Sequence, residues 1–288
     1  TSEVICVMDD KLKILSGMSG AIEKEVPLPS DDVRDCIVIG NFSGNEHPQD
    51  ILVKNRYGKV WALNRNLEVM WSHEGNTGHY PWPHDFDGDG RDELMCGFAL
   101  LGHNGARIWE AKLPGHSDAT AVGEVDGNTE NGPEVALATC GGNTFALLSS
   151  EGKMLWRAPC GHSQHIVIGD FRPEMPGKEL AALDRGRRRT ADGTDAMVLY
   201  TARGKQVWRE TAKNLRQNWS TPVLISGQDG PVLVMAALDE ILGRDPATGE
   251  IRRFLTGPKG CEVTGLTWSS DRRTMFVGIQ HPGAPFPD

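Results

Sequence analysis

Short apolar runs, broken by segments rich in Gly, Pro and Asp, follow one another along the chain. Cys36–Phe42 and Asp50–Lys54 form one such pair. Glu93–Phe98 follows, then Thr120–Val125 with Glu134–Thr139, His165–Phe171 with Glu179–Asp184, and Pro222–Ser226 with Val232–Ala237. These lengths suit buried strands, and no segment sustains a 3.6-residue apolar period. The pattern predicts an all-β protein with little helix.

A turn signal recurs between the runs: Gly58-Lys-Val-Trp61, Gly105-Ala-Arg-Ile-Trp109, Gly152-Lys-Met-Leu-Trp156 and Gly204-Lys-Gln-Val-Trp208, with Gly249-Glu-Ile-Arg-Arg-Phe254 as a weaker copy. Glycine supplies the positive φ of a tight turn, and the aromatic ring packs between neighbouring sheets. Trp109, Trp156 and Trp208 are 47 and 52 residues apart, about one four-stranded blade each. The fold expected is one β-propeller domain over residues 1–288, with about six four-stranded blades.

The two ends complement each other in this scheme. Val263–Ser269 and Thr274–Gln280 read as the first two strands of a blade, and Glu3–Met8 and Lys13–Leu15 as outer strands. Their pairing closes the ring and removes exposed edges.

Composition narrows the function. A net charge of −9 argues against nucleic acid, which rewards a basic surface. No apolar run is long enough to span a membrane. Six dispersed cysteines with no C-x-x-C pair make neither a zinc pattern nor a disulfide framework. A monomer is expected.

His84 precedes Asp85-Phe-Asp87-Gly-Asp89-Gly-Arg91-Asp92-Glu93. The carboxylates of Asp85, Asp87, Asp89 and Glu93, with the Arg91 carbonyl, suit a hard cation such as Ca²⁺, and the glycines allow the sharp bend. Glu124-Val-Asp126-Gly-Asn128 and Asn41-Phe-Ser43-Gly-Asn45 are degenerate copies, and Asp170-Phe-Arg172-Pro has lost the pattern. The loop joins the first two strands of a blade, on the face opposite the usual propeller active site, so the ion reads as structural.

Gly78-His79, Gly115-His116 and Gly161-His162 stand where the chain enters successive blades. These connections ring one rim of the channel, so the three imidazoles should converge with Tyr80 beside them. Such a group suits proton transfer near neutral pH, or a transition metal. Strand-end capping is the structural alternative. The same rim receives Arg185, Arg187, Arg188 and Arg189 from a loop of the fourth blade, and Arg216 beside Trp219. Guanidinium forks bind carboxylates, and Trp219 or Tyr80 offers a stacking face for a sugar. A solvated basic loop is the competing reading.

From about Gly40 to Trp208 the chain resembles FG-GAP propellers of the polysaccharide lyase type, the rhamnogalacturonan and ulvan lyases among them. Asp85–Glu93, the Gly-x-x-x-Trp hairpins and the Gly-His entries carry the resemblance. It implies β-elimination next to a uronate: carboxylate neutralisation, abstraction of the C5 proton and protonation of the leaving oxygen. The matching chemical types are Arg187, Arg188 or Arg216, then His79, His116 or His162, and Tyr80. It also implies an acidic polysaccharide or oligosaccharide partner and a secreted or periplasmic setting. The tail, Asp245–Phe254, Gly260–Gly265 and Met275–Gly283, is similar to the closing segment of PhoX-type alkaline phosphatases. Upstream metal-ligating motifs of that family are not recognisable, and Glu262 is the one obvious candidate ligand. Three functions follow: a lyase, a non-catalytic carbohydrate-binding, scaffold or chimeric propeller, and a metal-dependent phosphoesterase.

Overall fold

The computed structural model describes residues 3–185, 195–211, 223–227, 230–236, 240–256, 262–268 and 274–280. They form two compact units, Thr1–Thr120 and Ala121–Asp288. Every sheet is an antiparallel meander in chain order. The first unit opens with β1 (Glu3–Met8), β2 (Lys11–Ser16) and β3 (Ile22–Pro27). It continues with β4 (Cys36–Gly40), β5 (Asp50–Lys54), β6 (Lys59–Leu63) and β7 (Val69–Glu74). The next sheet is β8 (Trp82–His84), β9 (Glu93–Cys96), β10 (Ala99–Leu101) and β11 (Arg107–Glu110).

β12 (His116–Gly123) begins in the first unit and ends in the second, ahead of β13 (Glu134–Cys140), β14 (Thr144–Leu148) and β15 (Met154–Pro159). Two more four-stranded sheets follow. One is β16 (His162–Gly169), β17 (Glu179–Arg185), β18 (Asp195–Tyr200) and β19 (Gln206–Thr211). The other is β20 (Val223–Gly227), β21 (Gly230–Ala236), β22 (Glu240–Arg244) and β23 (Ile251–Thr256). A two-stranded sheet, β24 (Glu262–Trp268) and β25 (Met275–Gln280), comes last. The only helix among the described residues is a 3-10 turn at Thr129–Asn131.

Both faces of the inner strands are buried, which is why these strands read as continuous apolar runs. Side chains alternate across a strand. Ile51 and Val53 of β5 therefore join Leu12, Ile14, Trp61 and Leu67 in one core cluster. Leu52, between them, joins Val60, Leu94 and Leu101 in the next. In the second unit Phe171, Leu183, Leu199 and Trp208 form a corresponding core.

The outer hairpin repeats with one register in five of the sheets. A bulge interrupts the pairing of the last two strands at Ile14/Leu15, Ala62/Leu63, Leu100/Leu101, Leu147/Leu148 and Leu199/Tyr200, and two residues farther from the turn at Ile241/Leu242. The residue after the bulge carries the clasp to the next sheet. Trp156 Nε1 donates to the Ala202 carbonyl at 2.8 Å and Trp208 Nε1 to the Pro246 carbonyl at 2.9 Å. The next turn's glycine leaves room for the indole: a Cβ on Gly204 would stand 2.7 Å from Trp156, and one on Gly105 2.6 Å from Trp71.

Two hairpins differ from the sequence expectation. Gly58-Lys-Val-Trp61 spans the turn into β6, an inner strand, and Trp61 faces the core. The residues equivalent to Gly152 and Trp156 are Leu67, with φ 66°, and Trp71. In the weaker copy Leu242 pairs with Arg253 and Ile241 with Leu255, so Phe254 falls at the bulge instead of the clasp position. The N-terminal segment also supplies three strands, not the two expected. Among the described strands β1 pairs with β2 alone, and β24–β25 forms its own ladder.

Candidate functional site

The tight connection between β5 and β6 builds the site in the first unit. Asn55 Oδ1 accepts from the Gly58 and Lys59 N–H groups at 2.8 and 2.7 Å, closing the turn. The next three carbonyls are each claimed: Arg56 by Lys54 Nζ at 2.7 Å, Tyr57 by Thr77 N–H at 3.1 Å, Gly58 by Gly75 N–H at 3.0 Å. Tyr57 is thereby aimed across two imidazoles, its ring 5.0 Å from that of His79 and 4.7 Å from that of His116. Its hydroxyl hydrogen-bonds His79 Nε2 at 3.0 Å.

The two Gly-His entries are joined through backbone. His79 N–H donates to the Ser117 carbonyl at 2.9 Å, and Asn76 Nδ2 to the Gly115 carbonyl at 2.8 Å. Gly78 is required by this approach: at φ 58° its Cβ would lie 2.8 Å from the Ser117 oxygen. The His79 and His116 rings end 5.5 Å apart.

Asp118, buried in the same strand as His116, serves both rings. Its Oδ1 lies 2.9 Å from His116 Nε2 and 3.8 Å from His79 Nε2. On the far side of His79, Nδ1 lies 3.9 Å from Asp35 Oδ1. Burial lowers the His79 pKa, and Asp118 and Asp35 partly oppose that shift. A neutral, hydrogen-bonded imidazole flanked by carboxylates can accept a proton. The nitrogens of His79 and His116 and the Asp118 carboxylate lie within 4.8 Å of one another, a donor set that also suits a transition metal. Tyr80 is half exposed, with its ring 6.2 Å from His79. The Arg56 guanidinium lies 5.5 Å from the Tyr57 ring centre, the position of a cation–π contact.

His162 belongs to the second unit, where it opens β16. Its Nε2 is 3.4 Å from Gln164 Nε2, and Gln164 Oε1 accepts from Arg185 Nη1 at 3.1 Å. Beside it Asp184 accepts from Gly161 N–H at 2.7 Å and from Arg209 at 2.6 Å. Arg187, Arg188, Arg189, Arg216 and Trp219 lie outside the described residues.

The acidic loop lies at the other end of β8 from His79. Asp85, Asp87 and Glu93 each bring a carboxylate oxygen within 4.8 Å of the others, and Glu124, Asp126 and Glu134 do the same in the second unit. Asp89 accepts from Arg91 N–H at 2.8 Å and stands outside this carboxylate cluster. Glu93 is 3 % exposed. Burial raises its pKa, and Asp87, Asp89 and Asp85 add to the rise. No described ion pair compensates these charges, so the donor set fits a hard divalent cation held by Asp85, Asp87 and Glu93.

In four sheets the first residue of the second strand shares a role that the sequence pattern alone did not single out. Asp50, Glu93, Glu134 and Glu179 are buried carboxylates that accept backbone N–H groups of the preceding loop, at Ser43, Phe86, Val125 and Phe171 respectively. Asp118 and Asp35 were also missed as site residues. His116-x-Asp118 was a readable signal, because alternate strand residues share a face.

Comparison with known proteins places this architecture in a class. The chain is similar in structure to the Dos1 propeller (TM-score 0.63, 12% identity, 94% of this chain and 71% of that one). It is also similar to the rhamnogalacturonan lyase YesW (TM-score 0.63, 19% identity, 93% of this chain and 51% of that one). It is thus an all-β protein with the strand meanders of propellers.

The model for the rhamnogalacturonan lyase family 11 C-terminal domain matches residues 52–224, and the chain belongs to that family. The alkaline phosphatase PhoX model matches residues 173–283. Among curated relatives from Bacillus subtilis, the rhamnogalacturonan exolyase YesX is 34% identical over 158 residues, 53% of this chain and 25% of the relative. The endolyase YesW is 30% identical over 132 residues, 44% of this chain and 21% of the relative. The chain therefore spans a quarter or less of the curated relatives it matches.

Proposed function

We propose that this protein contributes the catalytic face of a polysaccharide lyase that cleaves uronate-containing glycans by β-elimination. The observation that carries the reading is the cluster of Tyr57, His79, His116 and Asp118, from the β5–β6 turn and the entries to β8 and β12. In this chemistry a base removes the C5 proton, electrons move to break the C4–O bond, and an acid protonates the departing oxygen. Either imidazole is placed to act as base, and the Tyr57 hydroxyl to hand on a proton. Arg56 supplies the exposed cation beside them for the uronate carboxylate. Tyr57 takes the acid role ahead of Tyr80, because Tyr57 touches both rings. His162 and the arginines at 185, 187, 188, 189 and 216, with Trp219, extend the reading as substrate contacts. Incubation with rhamnogalacturonan, following the ultraviolet absorbance of the unsaturated product, tests it. A folded protein that binds this polymer without forming product would assign the chain to carbohydrate binding, the reading its short span of the relatives favours. The PhoX match supports phosphoester hydrolysis as a third outcome, tested with a chromogenic phosphomonoester.

In the same reading Ca²⁺ occupies the Asp85–Glu93 loop in a structural role, the chain is a monomer, and it works in a secreted or periplasmic setting. It forms one propeller domain of about six blades, with β24–β25 and β1–β3 in the closing sheet. The support for closure is that β2–β3 carry the third-to-fourth strand bulge, so β1–β3 lacks an innermost strand. Slow hydrogen exchange at the β1 amides that do not face β2 is the expected sign, and fast exchange there counts against closure.

A further inference from the structure

We propose that Lys54 is a positioning residue for His79, a single buried ammonium that sets both the carboxylate beside Nδ1 and the phenol beside Nε2. Lys54 ends β5 with 0 % exposure. A buried ammonium must be paired, and its Nζ contacts are Asp35 Oδ2 at 2.5 Å and the Arg56 carbonyl at 2.7 Å. The first contact holds the carboxylate whose other oxygen lies 3.9 Å from His79 Nδ1. The second fixes the peptide that leads directly into Tyr57, whose hydroxyl meets His79 Nε2 at 3.0 Å.

The fold does not ask for a lysine at this position. Strand register makes Lys54 equivalent to Ala138 in β13 and Leu183 in β17, since Leu52, Ala136 and Ala181 each lie opposite the residue before the third-strand bulge. Ala138 and Leu183 are fully buried apolar residues. A charge replaces them in the sheet whose loop reaches the histidines. With the phenol donating to Nε2, the remaining proton sits on Nδ1, facing Asp35, and the imidazole is held as one tautomer.

The consequence for turnover rests on the lyase reading, whereas the consequence for the imidazole does not. Lys54→Met alone leaves the Asp35 charge without its partner, so the test uses the full chain carrying Asp35→Asn and Lys54→Met together. The readout is the long-range proton–nitrogen spectrum of the histidine rings at neutral pH, with His79 assigned through His79→Gln. The wild type should show one His79 tautomer, and the folded double variant a mixture. Turnover of rhamnogalacturonan should fall by up to about 10²-fold, as expected for a misplaced catalytic group, with KM nearly unchanged. An unaltered His79 spectrum in the folded double variant overturns the proposal. A wild type that forms no product, but whose single tautomer is lost in the variant, overturns the lyase reading and supports the role of the Lys54–Asp35 pair. Should the double variant fail to fold, Lys54→Arg keeps the charge and changes the donor geometry. A mixed His79 spectrum there supports the proposal, and a wild-type spectrum overturns it.

Discussion

Lys24 Nζ donates to the Arg65 carbonyl at 2.9 Å, in the place where other sheets use an indole N–H. The reason lies two residues on. The turn position that is glycine elsewhere is Leu67, whose side chain is 4 % exposed and belongs to the core with Ile14 and Trp61. An indole lying on that turn would collide with this Cβ, whereas a slim lysine passes beside it. A cleft of about 510 Å³, lined by Ile14, Lys24, Ile39, Ile51 and Arg65, remains at the joint.

Lys24 and Leu67 should therefore be energetically coupled. Lys24→Trp alone is expected to destabilise through overpacking, and Leu67→Gly alone by roughly 2–5 kcal/mol for the lost core side chain. Combined, they recreate the Trp–Gly clasp, so the pair should lose less than the sum by about 0.5–3 kcal/mol. Urea unfolding of the four proteins measures this, and strict additivity would sink it.

Activity, if it is lyase activity, should depend on the imidazoles and the phenol. His116→Ala, His79→Ala and Tyr57→Phe should each lower kcat on rhamnogalacturonan by about 10²–10⁴-fold. Tyr80→Phe should cost far less, because the Tyr80 ring is 6.2 Å from His79 and half exposed. Comparable losses at both tyrosines would show that proximity to the imidazoles does not select the proton donor.

Removal of divalent cations should lower the melting temperature. A cation bound only by the native state at 100 times its Kd stabilises by about 2.7 kcal/mol. Asp85→Asn and Glu93→Gln should abolish the response if Asp85, Asp87 and Glu93 hold the ion. Calcium titration of metal-stripped protein checks this, and superimposable melting curves with and without calcium would refute it.

Glu179 should give an opposite dependence on pH from that of an ion-paired carboxylate. Burial raises its pKa above the ordinary 4.5, against the N–H bonds from Arg172 and Phe171, which lower it. A raised folded-state pKa favours the protonated form on folding. Its contribution is therefore fully present below the unfolded-chain value of about 4.3 and lost as pH rises through the folded value. Glu179→Gln keeps an oxygen acceptor without the charge. Its melting temperature should exceed that of wild type at neutral pH, with the gap closing as pH falls toward about 4. A gap that stays constant across this range would count against the assignment.

Much of this fold was legible. Gly105, Gly152 and Gly204 each precede a tryptophan by four residues, and each pair sits at the same bulged hairpin. The N-terminal repeats were hidden because Leu67 takes the left-handed conformation without being glycine, and Gly58-Lys-Val-Trp61 imitates the motif one strand early. The Gly-His entries marked where the imidazoles stand. The acidic string from Asp85 to Glu93 marked a loop, although of its four named carboxylates only Asp85, Asp87 and Glu93 cluster there.

Strand count, apolar runs and turn positions are local properties, set by φ preference and by side-chain alternation along one stretch of chain. The sequence by itself determined the all-β class, most of the inner strands and the turns that carry His79 and His116, while the left-handed turn at Leu67 and the third N-terminal strand stayed hidden. Which groups touch those imidazoles was decided by tertiary structure. Asp35 and Lys54 are 19 residues apart, and ladder pairing of β4 with β5 brings them together. Tyr57 meets His79 across 22 residues because three backbone carbonyls of its loop are each claimed by a neighbour. No local pattern encodes such contacts, because each depends on the register of two strands and on a charge that has nowhere else to go once buried.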